Sequence, residues 1–475
     1  MLGGACYGGM RADTPHTAHG HWITELEPAE AMPALEGHVD ADIVIIGGGY
    51  TGMWAAWWIT EHDPAARVVL LEAGRCGTGP SGRNGGFVLP LWMSLPTLRE
   101  RFGDEAALAT CLASQDSVDA IGAWCTEQAV DASFTPSGYL QTSTVPGHDG
   151  AWDEVVRSCR DLGEPDACRP QTAAEVSARC ASPRFRGGAF YPSAATVQPA
   201  QLAAGLRARL ADRIVIHEAS AVSSLHAGPT SVVRTDRGEV SADAVVLAVG
   251  SAAARLHPLR TRLTVTSSHM VVTEPVPDVL DELGWTDGEC ITDSRAMVHY
   301  FRTTRDGRIA FGWGGGQIAL GTRLGGRAEV DPELAPEVAR HLVEFFPQLA
   351  GRRIDHAWGG PIDVSPTHLP VIGSLTPDSV HYAFGFTGNG VGPSQLAGRI
   401  LAARALGRDD PETRLAIVDP PAVHVPPEPL RYAGGTVVRR ALLRKERLEE
   451  EGRRPDLATR AIAALPSLIG IHIGR

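Results

Sequence analysis

Short runs of apolar residues alternate along this chain with longer stretches in which apolar positions recur every three or four residues. The first short run covers residues 43–46 and leads through a glycine-rich turn into a long apolar stretch, and a second short run covers residues 68–71. Short apolar runs bounded by turn residues are typical of buried parallel strands, whereas the wider spacing is typical of helices. The order strand, helix, strand predicts an α/β fold whose first βαβ unit spans residues 41–74.

The same pattern predicts further elements. Helices are expected over residues 94–130, 198–213 and 332–347 and after the glycines near residue 388, and strands over residues 137–144, 244–249 and much of 262–320. The segments that are typical of a nucleotide-binding fold are therefore separated by helical and strand-rich insertions. A nicotinamide-dependent dehydrogenase usually keeps its nucleotide fold in one block.

The turn after the first strand has the sequence "GGGYTG", which places glycines at positions 47, 49 and 52. In a dinucleotide-binding turn Gly47 would allow the tight turn, Gly49 the approach of a pyrophosphate, and Gly52 close packing of helix on strand. Helix N–H groups would favour the phosphates, and Glu72, which ends the second run, would hold a ribose hydroxyl. The motif by itself leaves FAD and NAD open, and the interleaving of segments favours FAD.

Several longer motifs resemble one enzyme family. They are "IVIIGGGYTGMWAA", "VVLLEAGRCGTGPSGRNGG", "AVVLAVGS", "YFRTTRDGRIAFGWGGG", "WGGPIDVSPTHLPVIG" and "GFTGNGVGPSQLAGRILA", spread over residues 40–407. The chain resembles the D-amino-acid-oxidase-type FAD-dependent oxidoreductases, and it is most similar to the branch that contains gamma-glutamylputrescine oxidase and related amine oxidases. The resemblance implies that the cofactor is FAD.

The resemblance also implies a fold: a Rossmann-type, glutathione-reductase-like FAD-binding domain interleaved with a strand-rich α+β substrate domain. We expect the FAD-binding domain to comprise residues 40–93, 185–260 and 355–420, and the substrate domain with helical insertions residues 94–184 and 261–354. Residues 1–39 are expected to be a lead-in, and residues 421–475 a basic helical tail.

The expected FAD-binding residues follow these motifs. Ser81, Arg83 and Asn84 would reach the pyrophosphate and the inner flavin edge, although Arg83 could instead pair with a surface carboxylate. The helix after Gly388 would stabilise the anionic reduced flavin with its positive end. The full set is Gly47, Gly49, Tyr50, Thr51, Gly52, Glu72, Ala73, Arg75, Ser81, Arg83, Asn84, Gly85, Gly86, Val222, Ala248, Gly250, Gly388, Asn389, Gly390 and Val391.

The FAD is expected to be noncovalent. Gly360 occupies the place at which sarcosine oxidases carry a tethering cysteine, and Cys76 is better explained as a buried free thiol. Ala310 occupies the place of the lysine with which several relatives activate oxygen, and Lys445 is the one lysine in the chain. The electron acceptor, oxygen or another molecule, therefore stays open.

Such enzymes remove a hydride from the carbon next to an amine nitrogen, and the resulting imine hydrolyses. Asp363 in "WGGPIDVSP" stands where glycine and D-amino-acid oxidases have a carboxylate-binding arginine, which would suit a cationic amine with a second positive group; alternatively it caps a turn before Pro366. Arg302 and Tyr300 are the other substrate-site candidates, or they line the domain interface. An alternative function is a flavin enzyme dedicated to a specialised biosynthetic intermediate.

The composition of the chain limits the kinds of molecule that it is expected to bind. The net charge is −12 and no basic stripe interrupts residues 40–420, which argues against nucleic acid. The eight cysteines lack metal-ligand spacing, so free thiols in the cytoplasm and no catalytic metal are expected. The basic tail is expected to pack on its own globule or on a second subunit of a homo-oligomer rather than on a membrane surface.

Overall fold

The structure is a computed structural model that describes residues 20–321, 323, 326–376, 379–468 and 470–472. The strands within these residues are β1 (Gly37–Ile46), β2 (Val68–Leu71), β3 (Phe87–Val88), β4 (Tyr139–Ser143), β5 (Arg169–Gln171), β6 (Gly187–Tyr191), β7 (Ala195–Thr196), β8 (Val215–His217), β9 (Ser224–His226), β10 (Ser231–Arg234), β11 (Gly238–Leu247), β12 (Thr264–Thr273), β13 (Cys290–Asp293), β14 (His299–Thr303), β15 (Ile309–Trp313), β16 (Ile354–Val364), β17 (Val371–Thr376) and β18 (Val380–Phe384).

The α-helices of the same residues are α1 (His21–Thr24), α2 (Tyr50–His62), α3 (Pro80–Arg83), α4 (Leu95–Phe102), α5 (Asp104–Glu127), α6 (Asp153–Asp161), α7 (Ala173–Arg179), α8 (Pro199–Leu210), α9 (Pro277–Leu283), α10 (Leu334–Phe345), α11 (Val391–Ala405), α12 (Leu430–Glu450) and α13 (Leu457–Leu468). The predicted helix that begins at Pro199 is α8, with the proline in its first turn, where the missing N–H costs nothing.

The first sheet is the nucleotide-binding sheet that the apolar runs predicted. Its strand order is β17-β18-β11-β1-β2-β8, and β9 and β10 extend it beside β11. The neighbours from β18 to β8 are parallel, so the carboxyl ends of β1, β2 and β11 share one edge. Helices α2 and α11 pack on each other against this sheet, within one apolar core. Loops at the carboxyl edge of such a sheet form the usual ligand site.

The second sheet has the order β16-β12-β15-β14-β13-β4-β6-β5 and is antiparallel except for the β13–β4 pair. Side chains of a strand alternate between the two faces of its sheet. One face packs on α9 and α10 through a core that contains Phe301, Phe311 and Phe345. The other face lies towards the first sheet, and the space between the two holds the candidate site.

The expected interleaving of an FAD-type α/β domain with a strand-rich domain is confirmed, and three contacts join segments that lie far apart in the sequence. β6, within residues 185–260, pairs with β4 in the second sheet, and β16, within residues 355–420, pairs with β12. Helix α5, expected in the substrate domain, packs against α11, where Ser117 Oγ donates to the carbonyl of Gly392 at 3.1 Å. Each of these three placements depends on a partner segment that is distant in the sequence, which a local pattern does not reveal.

The described residues at both ends of the chain pack on the rest of the protein. Residues 1–19 lie outside the described part of the chain, but residues 20–39 of the expected lead-in are packed: Trp22 is 1% exposed, and its Nε1 donates to the carbonyl of Asn84 at 2.8 Å. The tail forms the helix pair α12–α13, which packs on this same chain. None of the described helices is both long and apolar enough to cross a membrane.

Candidate active site

A cavity of about 1520 Å³ lies between the two sheets. Its wall on one side is made by the loops at the carboxyl ends of β1, β2 and β11 and by the start of α11. Its other wall is the inner face of the second sheet, where β12 and its neighbours contribute alternate residues. The cavity exceeds the 300–1,000 Å³ typical of a drug-sized ligand, so there is room for a dinucleotide together with a second molecule.

The turn after β1 requires its glycines. Gly47 has φ +110°, and a Cβ there would lie 2.3 Å from the carbonyl oxygen of Ala248 at the end of β11. A Cβ on Gly52 would lie 2.0 Å from the carbonyl oxygen of Gly47. These distances are far below any contact that a side chain tolerates, so both glycines allow strand, turn and helix to approach closely. The roles expected for Gly47 and Gly52 fit this geometry.

Glu72 directly follows β2 and lines the cavity. Its Oε2 accepts the N–H of Gly48 at 2.8 Å and its Oε1 accepts the N–H of Gly74 at 2.8 Å. The carboxylate therefore joins the glycine turn to the loop after β2 and is fixed at the cavity wall. Each carboxylate oxygen can accept further hydrogen bonds, so a ribose hydroxyl can still bind there.

The loop "GPSGRNGG" closes over the glycine turn. Ser81 Oγ accepts the N–H of Tyr50 at 2.9 Å, which satisfies one donor at the start of α2. The Asn84 side chain shapes its own loop, because Nδ2 donates to the carbonyl of Ser81 at 2.8 Å and Oδ1 accepts the N–H of Gly86 at 2.7 Å. Arg83 is buried, and its Nη1 lies 3.2 Å from Oε1 of Glu329. Arg83 and Glu329 both line the cavity, so this pair lies at the site itself and not on the outer surface.

Most of the predicted cofactor residues lie on the cavity wall: Gly47, Gly49, Tyr50, Thr51, Glu72, Ala73, Arg75, Ser81, Arg83, Asn84, Gly85, Val222, Ala248, Gly250, Gly388, Gly390 and Val391. Gly52, Gly86 and Asn389 lie behind the wall, so they can shape the loops but do not face the cavity. The Tyr50 ring also points away: its hydroxyl donates to the carbonyl of Pro199 at 2.7 Å, and burial raises its pKa.

Asp363, on β16, lines the cavity where the loop before α11 begins. Its Oδ2 accepts the N–H of Gly385 at 2.5 Å, and its backbone carbonyl accepts the N–H of Thr387 at 3.0 Å. The residue is partly open to the cavity, but protein surrounds the carboxyl group, and this burial raises its pKa from 3.8 to about 6. The carboxyl thus supports the loop at Gly385, and not the turn before Pro366 that was the alternative to substrate binding.

Arg302 is not among the residues that line the cavity. The residue is 4% exposed, and its guanidinium donates to the carbonyls of Gly86, Val197 and Thr303 and lies over the ring of Trp22. Burial lowers its pKa to about 10. Arg302 therefore joins the second sheet to the loops around the cofactor, the interface role that was its alternative.

Tyr300 does lie on the wall, and its hydroxyl is 2.7 Å from Oγ of Ser268. Sequence reasoning missed the neighbours that share its face of the sheet: Thr264, Thr266, Ser268 and Met270 of β12 all line the cavity. The signal was present, because these residues alternate with Val265, Ser267, His269 and Val271, which face away. Alternation showed two faces but not which of them meets the cofactor domain.

Sequence reasoning also missed Trp358 and the tail. Trp358 lines the cavity, and its Nε1 donates to the carbonyl of Arg83 at 2.8 Å. Nine residues of α12 between Leu430 and Leu442, and Leu465 and Pro466 of α13, line the same cavity. Nothing in their local pattern distinguishes a helix that covers a site from one that covers a core.

Comparison with known proteins decides the family. The model of the DAO family, described as FAD dependent oxidoreductase, matches residues 42–404. The chain belongs to this family.

This FAD-dependent oxidoreductase is 27% identical over 442 residues to gamma-glutamylputrescine oxidoreductase of Escherichia coli (strain K12), covering 90% of this chain and 95% of that protein. It is 26% identical over 392 residues to glycine oxidase of Pseudomonas aeruginosa, covering 80% and 96%. The crystal structure of glycine oxidase from Geobacillus kaustophilus has the same fold, with a TM-score of 0.65 at 20% identity over 78% of this chain and 96% of that one.

The cavity fits FAD, the cofactor of this family. The N-termini of two helices, α2 and α11, face it, and such ends favour phosphates and other negative charge. Among the described residues, a Cβ on Gly49 would meet only Ser81 Oγ within 4 Å, at 3.0 Å, so the bare backbone there is open to a ligand. Among the described residues Ser251, on the cavity wall, has a buried hydroxyl without a hydrogen-bond partner. A bound dinucleotide would supply one.

The cysteine thiols are consistent with FAD that is bound noncovalently. The seven cysteines among the described residues are buried and free, and Cys6 lies outside them. A Cβ on Gly48 would lie 2.4 Å from Sγ of Cys76, so this thiol packs behind the glycine turn. Burial, followed by the nearby Glu218 and Glu72 carboxylates, raises the pKa of Cys76, which disfavours the reactive thiolate.

Proposed function

We propose that this chain oxidises the C–N bond of an amine or an N-substituted amino acid, using noncovalently bound FAD. Membership of the DAO family supports the flavin, and the amine- and amino-acid-oxidising relatives support the bond that reacts. FAD, when bound, supplies the hydride acceptor. The observation that carries the proposal is one continuous cavity, bounded by the dinucleotide-type loops on one side and by the polar inner face of the second sheet on the other.

The protein residues would bind and position the substrate. Asp363 would attract a positive group of the amine, because its carboxyl is largely ionised above about pH 6 and no arginine or lysine is among the groups that shift its pKa. Tyr300 and Ser268 would orient the nitrogen or a neighbouring polar group through their hydroxyls, which already lie 2.7 Å apart. Burial of the amine in the cavity would disfavour its ammonium form, so that the amine reacts neutral.

The acceptor of the electrons is oxygen or another molecule. Ala310 is buried in β15, and Lys445 pairs with Glu449 on α12, so no lysine of this chain serves the flavin. We propose a cytoplasmic enzyme with a small-molecule amine substrate.

The test is anaerobic mixing of the purified yellow holoenzyme with a panel of monoamines, diamines and N-alkyl amino acids, with hydroxy acids of matched size as controls. We expect amines to bleach the flavin and hydroxy acids to leave it yellow. Bleaching by hydroxy acids alone would contradict the proposal. After acid precipitation the FAD should appear in the supernatant; flavin that stays with the protein pellet would show covalent attachment.

A further inference from the structure

The C-terminal segment forms one wall of the cavity. Helix α12 crosses the edge of the second sheet and is joined to it along its length: Arg431 Nη1 donates to the carbonyl of Leu263 at 3.0 Å, Arg439 Nε to the carbonyl of Gly316 at 2.7 Å, and Glu446 Oε1 accepts the N–H of Met297 at 3.0 Å. Residues of α12 from its start to Leu442, and Leu465 and Pro466 of α13, contribute to the cavity wall. The tail is therefore part of the site and not an appendage.

This wall carries large apolar side chains that the described part of the chain leaves exposed. Leu430, Val437 and Leu465 are 66%, 49% and 48% exposed, and all three line the cavity. Apolar side chains clustered at a concave wall mark a surface that contacts a ligand. The charged groups beside them are engaged elsewhere, since Arg431 bonds Glu428 and backbone carbonyls and Arg439 bonds backbone carbonyls. The wall therefore suits an apolar group rather than a second charge.

Two glycines of α12 lie at this wall, and they have different structural reasons. Gly434 and Gly435 both line it, although glycine is among the poorest helix formers. A Cβ on Gly435 would lie 2.5 Å from Cδ1 of Ile318, so a protein neighbour explains that glycine. A Cβ on Gly434 would meet no atom of the residues that the structure describes within 4 Å. The side chain absent at Gly434 thus leaves space in the cavity and not room for a neighbouring residue.

We propose that α12 and α13 form the specificity-determining wall of the substrate chamber, and that the substrate is an amine whose non-reacting end is a long apolar group lying along Leu430, Gly434 and Val437 towards Leu465. That the substrate is an amine rests on the proposed function. That its other end is apolar rests on the exposed apolar side chains of the wall. Gly434 would set the length of the apolar group that the chamber accepts.

Binding of unbranched alkylamines, from ethylamine to decylamine, to the holoenzyme with its flavin already reduced by dithionite tests this without turnover, because reduced flavin accepts no hydride. Under anaerobic conditions we expect calorimetric affinity to rise about three- to four-fold per added methylene, as burial of each CH₂ group dictates. In Gly434→Leu the rise should stop at a shorter chain, so that decylamine binds at least about ten-fold more weakly than to wild type while ethylamine stays within about two-fold. Leucine favours helix more than glycine does, so the variant should fold.

Thr436→Leu is the matched control. Thr436 lies on the same helix and donates from Oγ1 to the carbonyl of Tyr432 at 2.7 Å, but it does not line the cavity. It should show the wild-type dependence on chain length. The same dependence in wild type, Gly434→Leu and Thr436→Leu would overturn the proposal.

A second variant makes the α13 part of the wall polar at Leu465. Leu465→Gln should weaken decylamine binding and spare ethylamine. If it instead changes the sedimentation coefficient and leaves chain-length dependence intact, a second copy of the chain covers these side chains and the proposal is wrong. Binding that depends on chain length, with no flavin bleaching by any amine, would contradict the proposed function and support the apolar wall. Bleaching by short amines, with no dependence of binding on chain length, would support the proposed function and contradict the apolar wall.

Discussion

Oδ2 of Asp363 accepts the backbone N–H of Gly385 at 2.5 Å, so the carboxyl on β16 supports the loop that leads into α11 while it lines the cavity. Burial raises its pKa to about 6. Below that pH the carboxyl is neutral and attracts no cation. We therefore expect the Michaelis constant of a cationic amine to rise as the pH falls through about 6.

Asp363→Asn should remove this pH dependence and raise the Michaelis constant by about ten- to a hundred-fold, since a hydrogen bond to a charged group contributes about 1.5–3 kcal/mol. Inhibition by a neutral alcohol of the same length should be unchanged. Loss for diamines alone would place Asp363 at a second charge, and loss for monoamines too would place it at the reacting nitrogen. Equal losses for amines and alcohols would remove Asp363 from substrate recognition.

The same carboxyl should make the FAD-free protein less stable at high pH. Its folded pKa, about 6, exceeds the ordinary value of 3.8, so folding favours the protonated form and stability is lost as the pH rises from about 4 through about 6. Asp363→Asn keeps an acceptor for Gly385 and avoids the charge, so at pH 8 its free energy of unfolding should exceed that of wild type by about 2–3 kcal/mol. The difference should vanish near pH 4. Urea unfolding at both pH values measures it, and an equal difference at both would contradict the shift.

Substitutions at Gly49 and at Gly52 should have different effects, the first on FAD binding and the second on stability. Among the described residues, a Cβ on Gly49 meets only Ser81 Oγ within 4 Å, at 3.0 Å, so Gly49→Val should fold but lose FAD because its side chain occupies the pyrophosphate path. A Cβ on Gly52 would lie 2.0 Å from the carbonyl oxygen of Gly47, so Gly52→Ala should lower the stability of the FAD-free protein by about 1–3 kcal/mol. FAD content and FAD-free melting temperature separate the two. A fully loaded Gly49→Val protein would refute the assigned pyrophosphate site.

Arg302 should matter for stability and not for substrate affinity. Arg302→Met removes the guanidinium that donates to the carbonyls of Gly86, Val197 and Thr303, and because the Gly86 carbonyl keeps the N–H of Val197 the cost should be about 1–3 kcal/mol. Arg305→Met is the matched control, because the ion pair of Arg305 with Asp131 is exposed and should contribute at most about 1 kcal/mol. Chemical denaturation gives both values. A large rise in the amine Michaelis constant of a stable Arg302→Met protein would restore Arg302 to the substrate site.

Local sequence determined the cofactor half of this protein. The apolar run of β1, the glycines at 47 and 52 and the acid at position 72 lie within one βαβ unit, so their spacing alone specified the turn, the helix and the carboxylate beside it. These features depend on neighbours close in the chain, and the motifs at Ser81 and Gly388 added distant segments only through their resemblance to a known family.

Tertiary structure decided the substrate half. Alternation along β12 defined two faces, but only the docking of the second sheet showed that Ser268 faces the cavity. Arg302 and Tyr300 are two residues apart on β14 and should share a face, yet the long Arg302 side chain reaches the carbonyls of Gly86 and Val197 beyond the cavity wall. The position of α12 over the cavity likewise depends on hydrogen bonds to residues more than a hundred positions away, such as Gly316. A local pattern encodes which side of an element is apolar, but not which distant surface will cover it.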